Sequence, residues 1–173
     1  DLSEKVAQMY PHELSGGMKQ RVCIAMAMIL NPRLVVADEP VTALDVTTQR
    51  IVLQSISALR DRFDAAVLLI AHDMAVHAEM VDRLSIMYAG KIVEIGSVYD
   101  IFTDPLHPYT RGLVEAIPSL EQKRVKGIPG LHPSPLAWPP GCRFHTRCPV
   151  AVQACSTEEP ILREVKNLSL IHI

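Results

Sequence analysis

Leu34-Val35-Val36-Ala37-Asp38-Glu39-Pro40 decides the fold: an apolar run of strand length delivers two adjacent carboxylates at its carboxyl end. In open α/β sheets ligands sit in the crevice outside the carboxyl ends of the strands, and paired acids there suit one metal ligand and one base for water. Upstream, Leu14-Ser15-Gly16-Gly17-Met18-Lys19-Gln20-Arg21 reads as a serine-glycine turn opening a helix. Lys19 to Leu30 carry no Gly or Pro and run into Asn31-Pro32, so the helix stops at the proline. Gly16 and Gly17 then lie at its amino end, where free backbone N–H groups and the positive end of the helix dipole favour a phosphate.

Working outward, Asp45 can cap a helix whose apolar positions Val52, Ile56, Leu59 and Phe63 fall on one face. A second apolar strand, Ala66 to Ala71, ends at His72, and its Val, Leu and Ile suit a parallel strand buried on both faces. Asp73 caps a further short helix. From Leu84 the pattern changes to a hairpin, with Ile86-Met87-Tyr88 and Lys91 to Ile95 joined across Ala89-Gly90. Ser97-Val98-Tyr99-Asp100 forms a capping box before Ile101-Phe102. A helix is expected from about Thr110 to Ile117, and Pro118 to Pro140 is a proline-rich stretch read mostly as loop.

The 173 residues allow one domain plus a tail, and 49% hydrophobic with 21% charged residues is a globular composition. A net charge of −2 gives no general attraction to nucleic acid. No apolar run approaches the roughly 20 residues needed to span a bilayer.

Four motifs in order carry a resemblance: Leu14 to Arg21 as a signature motif, Leu34 to Pro40 as a Walker B motif, Ala43-Leu44-Asp45 as a D-loop and Ala71-His72-Asp73 as a switch histidine. In these the chain resembles ABC-type ATPases. Singly, each carboxylate reads as a helix cap and His72 as a core histidine; in this company the catalytic reading is preferred. The resemblance implies an α/β fold: the C-terminal part of an ABC-type P-loop ATPase domain with a parallel-sheet core, plus a proline-rich, cysteine-containing C-terminal extension. It implies ATP and Mg2+ as cofactors, with Asp38 serving magnesium through water, Glu39 polarising the attacking water and His72 reaching the γ-phosphate. Ser15, Gly16 and Gly17 would bind the phosphate of a nucleotide held by an opposite protomer, and Asp45 would act across the same interface. Met18 stands where many relatives carry Gln, and Thr42 where many carry Ser; neither change removes a backbone donor or a charge.

No Gly-x-x-x-x-Gly-Lys-Ser/Thr occurs, so the phosphate-cradling loop is absent from these residues and the nucleotide-binding half with its Q-loop is expected upstream. The chain is expected to be an internal fragment that is inactive alone. Leu168 to Ile173 reads as translation of a sequencing adapter and is set apart from the fold. The expected organisation is residues 1–102 as a partial ATPase domain, 103–167 as the extension and 168–173 as the adapter.

Thr103-Asp104-Pro105-Leu106-His107-Pro108-Tyr109-Thr110, followed by Leu113 to Pro118, resembles the extension of peptide-importer ATPases, which is named for its His-Pro-Tyr. His107 itself reads as a packing residue. The resemblance implies an ATP-hydrolysing subunit that powers import of dipeptides or oligopeptides, lying peripherally on the cytoplasmic face of the inner membrane. Its implied partners are a second, identical or paralogous ATPase subunit, two membrane permeases and, indirectly, an extracytoplasmic binding protein, with no nucleic acid. Related importers carry nickel or other small solutes. Two other classes stay open: a soluble ABC ATPase working on nucleic acid or ribosomes, and a tail serving chiefly as a redox or metal sensor.

Cys142, Cys148 and Cys155 form C-x5-C-x6-C, and a cytosolic protein rarely uses such clusters for disulfides, which makes a metal site the default. The family resemblance implies a 4Fe-4S cluster on these three and a fourth cysteine farther along. Adding His145 makes a zinc set, and three free thiols packed in a loop is the plain alternative. Cys23 is expected to be a small core residue, and Met18, Met26, Met28, Met74, Met80 and Met87 to be packing residues.

Overall fold

The computed structural model describes residues 2–118, 127–166 and 169–172. They divide into two compact units, Asp1–Asp73 and Met74–Ile173. Within the second unit the hairpin packs with residues of the extension, Tyr109, Leu113, Ile128 and Phe144 among them.

The first unit contains α1 (Gly16–Met28), β1 (Leu34–Asp38), α2 (Val46–Phe63) and β2 (Ala66–Ile70). The two strands pair in parallel with Leu34 opposite Ala66 and Asp38 opposite Ile70, so both carboxyl ends emerge together. Asp45 caps α2 by accepting from the Thr48 N–H, and Asp64 closes it in a left-handed conformation at φ 48°. Val52, Leu53 and Ile56 are buried along one face of α2, each stabilising the unit by about 1.5–3 kcal/mol.

Among the described residues one face of the two strands is covered and the other is not. Leu34 and Val36 are each 57% exposed and Leu68 is 52% exposed, while Val35, Ala37, Val67 and Leu69 on the opposite face are half-buried. Within this unit one face of the sheet is covered by helices, and residues of α1, β1, α2 and β2 line an open pocket of about 350 Å³. Cys23 is likewise exposed rather than core, lining that pocket beside Gln20 and Ile24. Met26 and Met87 are also exposed, whereas Met28 is buried as expected.

The second unit opens with α3 (Met74–Met80) and the antiparallel pair β3 (Arg83–Tyr88) and β4 (Lys91–Ser97). Ala89 and Gly90 both have positive φ, 49° and 77°, the backbone a two-residue hairpin turn requires. Ser97 caps α4 (Val98–Thr103), accepting from the Asp100 N–H at 3.0 Å and donating to its carboxylate at 2.7 Å. Next come α5 (Pro108–Glu115), β5 (Leu162–Lys166) and β6 (Ser169–His172), the strands completing a sheet of order β3-β4-β6-β5. The segment set apart as adapter thus supplies a strand: Glu94 pairs with Ile171 and Ile95 with Leu170, and Ile171 is buried. An unpaired edge such as β4 offers a row of backbone donors and acceptors that any extended apolar segment can satisfy. Residues 119–126 of the proline-rich stretch, Leu168 and Ile173 lie outside the described residues.

Leu84, Ile86, Tyr88, Val93, Ile101 and Phe144 form the core of this unit. Tyr88, Tyr109 and Phe144 pack edge-on or tilted against one another with ring centres 4.7–5.4 Å apart, which adds orientation-specific attraction to the burial. His107 packs 5.7 Å from Phe144 and caps α5 by accepting from the Tyr109 N–H at 3.0 Å, so the expected packing role is the one seen. Glu94, nearly fully buried, accepts from the backbone N–H groups of Leu106 and His107 at 2.8 and 3.0 Å. Buried Arg147 donates to the carbonyls of Pro129 and Ile128 at 2.9 and 3.0 Å.

Candidate functional site

Strand β1 ends at Asp38 and the next residue, Glu39, turns out of the ladder at φ 48°, a left-handed conformation that is uncommon for a side-chain-bearing residue and concentrates at functional sites. Its N–H still donates to the Ile70 carbonyl at 2.9 Å, so Glu39 is tied to the end of β2. His72 lies two residues beyond that end. Its Nδ1 stands 2.9 Å from both carboxylate oxygens of Glu39, across 33 positions of sequence. Parallel pairing of β1 with β2 is what creates this meeting. Thr42 completes the group by donating its hydroxyl to Glu39 Oε2.

The Glu39 carboxylate raises the His72 pKa above its ordinary value, through the hydrogen bond first and its charge second. An imidazolium paired through Nδ1 keeps its Nε2–H as a donor. A neutral ring bonded the same way would present Nε2 as an acceptor instead. Asp38 is exposed on the bare face of the sheet beside this group, a position open to a hydrated cation.

A second set gathers at the helix amino ends. Ser15 caps α1, its Oγ accepting from the Met18 N–H at 3.3 Å, so the first-turn amides at Gly16 and Gly17 lack intrahelical acceptors by construction. Gly17 approaches α2 so closely that a Cβ there would lie 2.3 Å from Thr48 Cγ2. Thr48 cannot simply swing aside, since its hydroxyl donates to Asp45 at 2.6 Å. The two Thr48 hydrogen bonds hold the Asp45 carboxyl below its usual range. Gly17 and Asp45 thus meet at one threonine, while Glu39, His72 and Thr42 form the carboxylate group.

The cysteines lie in the second unit. Cys142 and Cys155 are clamped by a 2.9 Å bond from the Cys142 N–H to the Cys155 carbonyl, next to Gly141 at φ 66°, where a Cβ would meet that same oxygen at 2.5 Å. Cys142, Cys148 and Cys155 are free thiols. Burial pushes the Cys142 thiol up, and its two neighbouring thiols push it the same way. His145 directs Nδ1 to the Cys142 carbonyl at 2.7 Å. Among the described residues no group of three or more His, Cys, Asp or Glu side chains is disposed to hold a metal ion.

Sequence reasoning did not single out Glu94 or the hold of Thr42 on Glu39. A lone acid inside Ile92-Val93-Glu94-Ile95 was the available signal for the first. For the second, the three-residue spacing to the acid was the signal.

Comparison with known proteins adds independent information. Residues 93–155 match the family "Oligopeptide/dipeptide transporter, C-terminal region", and residues 1–42 match "ABC transporter". The oligopeptide transport ATP-binding protein AppD of Bacillus subtilis is 48% identical over 95% of this chain and 51% of its own length. The chain belongs to the ABC-type ATP-binding proteins of the oligopeptide/dipeptide transporter family. OppD of Escherichia coli is 45% identical over 92% of the chain and 48% of the relative, and DppD of Caldanaerobacter subterraneus 46% over 91% and 49%. The chain spans about half the length of the curated relatives it matches. A solved ATP-binding cassette, described as a dimer in a post-hydrolysis state bound to ADP and Pi, is similar with a TM-score of 0.50 and 32% identity, covering 56% of this chain and 41% of that one. The transporter match ends at Thr42, three residues past Glu39, and His72 lies between the two matched segments.

Proposed function

We propose that the protein containing this chain hydrolyses ATP to drive import of oligopeptides or dipeptides, as the ATP-binding subunit of an ABC transporter. The observation that carries the reading is the pairing of Glu39 with His72 at the ends of two adjacent parallel strands, in a chain whose relatives are named for oligopeptide and dipeptide transport. In this reading Glu39 accepts the proton of the attacking water, and His72, whose imidazolium form that carboxylate favours, donates Nε2–H to the departing phosphate. Asp38 would hold magnesium through water, which supplies charge neutralisation at the phosphate oxygens. The Ser15-Gly16-Gly17 turn offers backbone donors to a phosphate brought by a second ATPase subunit, and Asp45 braces that turn through Thr48.

Among the described residues no helix is long and apolar enough to cross a membrane. Attachment to the cytoplasmic face of the inner membrane would run through two permease subunits, with an extracytoplasmic binding protein delivering the peptide. Nothing supports the 4Fe-4S reading of Cys142, Cys148 and Cys155: among the described residues no group of three or more His, Cys, Asp or Glu side chains is disposed to hold a metal ion. The three cysteines are read as free thiols of a packed loop.

The deciding experiment is ATP turnover by the full-length protein and its Glu39→Gln variant. Loss of hydrolysis with nucleotide binding intact is expected; turnover near that of the parent would remove Glu39 from the role of base.

A further inference from the structure

The acid of the site is gripped at more than one point. Its backbone N–H is bonded to Ile70 on β2, and its backbone carbonyl accepts from the Thr42 N–H at 3.2 Å. The carboxylate itself receives the Thr42 hydroxyl on Oε2, in addition to facing His72 through both oxygens. Two residues of this short loop, Glu39 and Ala43, sit in left-handed conformations at φ 48° and 59°, and buried Val41 anchors it between them. A strained loop of this kind persists only when its surroundings over-determine it.

The two holds on the carboxylate differ in permanence. The His72 side chain is 77% exposed and comes from another strand end, so its bond exchanges readily with another anion. The Thr42 bond is local, three residues along the same turn, and does not depend on where His72 points.

We infer that Thr42 is the positioning residue of Glu39: its hydroxyl pins Oε2 so that the carboxylate keeps its direction toward water when His72 leaves it for a phosphate oxygen. This rests on the reading of Glu39 as the base. The chemistry asks only for a hydroxyl at that place. Threonine and serine serve, and valine, with the same shape and no donor, does not.

The test is steady-state ATP hydrolysis by the full-length protein carrying Thr42→Val, Thr42→Ser or Thr42→Ala, with Glu39→Gln measured in parallel. Loss of a hydrogen bond to a charged group in a partly exposed setting predicts that kcat falls about tenfold in Thr42→Val and Thr42→Ala. KM for ATP should stay within about twofold, since the bond orients the base rather than binding nucleotide. Thr42→Ser should restore kcat to within about twofold of the parent. Parental kcat in Thr42→Val, or a Thr42→Ser variant as slow as Thr42→Val, overturns the inference, as does a loss confined to KM. If Glu39→Gln turns over like the parent, the reading of the base fails instead. If Glu39→Gln is inactive while Thr42→Val is not slowed, only the role of Thr42 fails.

Discussion

Among the described residues, the unit ending at Asp73 leaves the polar groups of its site half-buried or exposed, whereas the unit beginning at Met74 encloses Glu94 and Arg147. In the first, His72, Asp38 and Asp45 are exposed, Glu39 is half-buried, and one face of the described sheet is uncovered. In the second, Glu94 and Arg147 are enclosed, and three aromatic rings close around Phe144. Exposed polar groups can exchange partners at little cost, as a cycle of binding and release requires. Buried ones are held by the penalty for leaving them unpaired.

The largest expected effect tests the first unit. Glu39→Gln in the full-length protein should lower kcat by about 10²–10⁴-fold, the range for a positioned general base, while leaving the thermal midpoint nearly unchanged. Equal losses of stability and activity would erase the contrast, because the acid would then be structural like Glu94.

Glu94→Ala tests the other side. Removing the carboxylate strands the Leu106 and His107 amides, a cost of about 1–3 kcal/mol for each. Denaturant unfolding should show a lowered midpoint and extra protease sensitivity in the His-Pro-Tyr segment, with Glu94→Gln intermediate because one amide oxygen replaces two acceptors. A variant as stable as the parent would mean that water enters and that the second unit is as open as the first.

The parts legible in sequence are those fixed by local chemistry. Asp45 and Ser97 cap their helices as their spacing dictates, Ala89-Gly90 turns the hairpin, and the motif order brings Glu39 and His72 to neighbouring strand ends. What sequence could not supply depends on partners far along the chain. Glu94 is an acid in an apolar strand until Leu106 and His107 arrive, and Arg147 is a surface-type residue until it meets Ile128 and Pro129. Cys23 fits the helical pattern of a core position, yet burial on α1 is set by whatever packs against that face, and within this unit an open pocket lies there.

Gly17→Ala should have a smaller effect, and one that couples the two amino ends. The added methyl meets Thr48 Cγ2, and relieving the clash costs the Thr48–Asp45 hydrogen bonds or a shift of α1, about 1–3 kcal/mol in either case. Thr48→Ser removes the opposing methyl while keeping the hydroxyl. Gly17→Ala should therefore be less harmful in a Thr48→Ser background, a coupling that a double-mutant cycle on thermal midpoints would read. Strict additivity would separate the signature turn from Asp45.

The smallest expected effect concerns the exposed His72–Glu39 pair. Because the His72 pKa is raised by the Glu39 hydrogen bond and charge, the favourable pairing is fully present below the ordinary histidine pKa and is lost as pH rises through the raised value. Exposure leaves the pair open to screening, so its contribution should shrink with added salt. NMR titration of His72 in the full-length protein should show a midpoint above that of an unperturbed histidine, moving down in Glu39→Gln and falling in the parent as salt increases. A His72 midpoint indifferent to both Glu39→Gln and salt would dissolve the pair in solution. His72 would then lack the held imidazolium that donates Nε2–H to phosphate, and Thr42 would remain as the hold on the carboxylate.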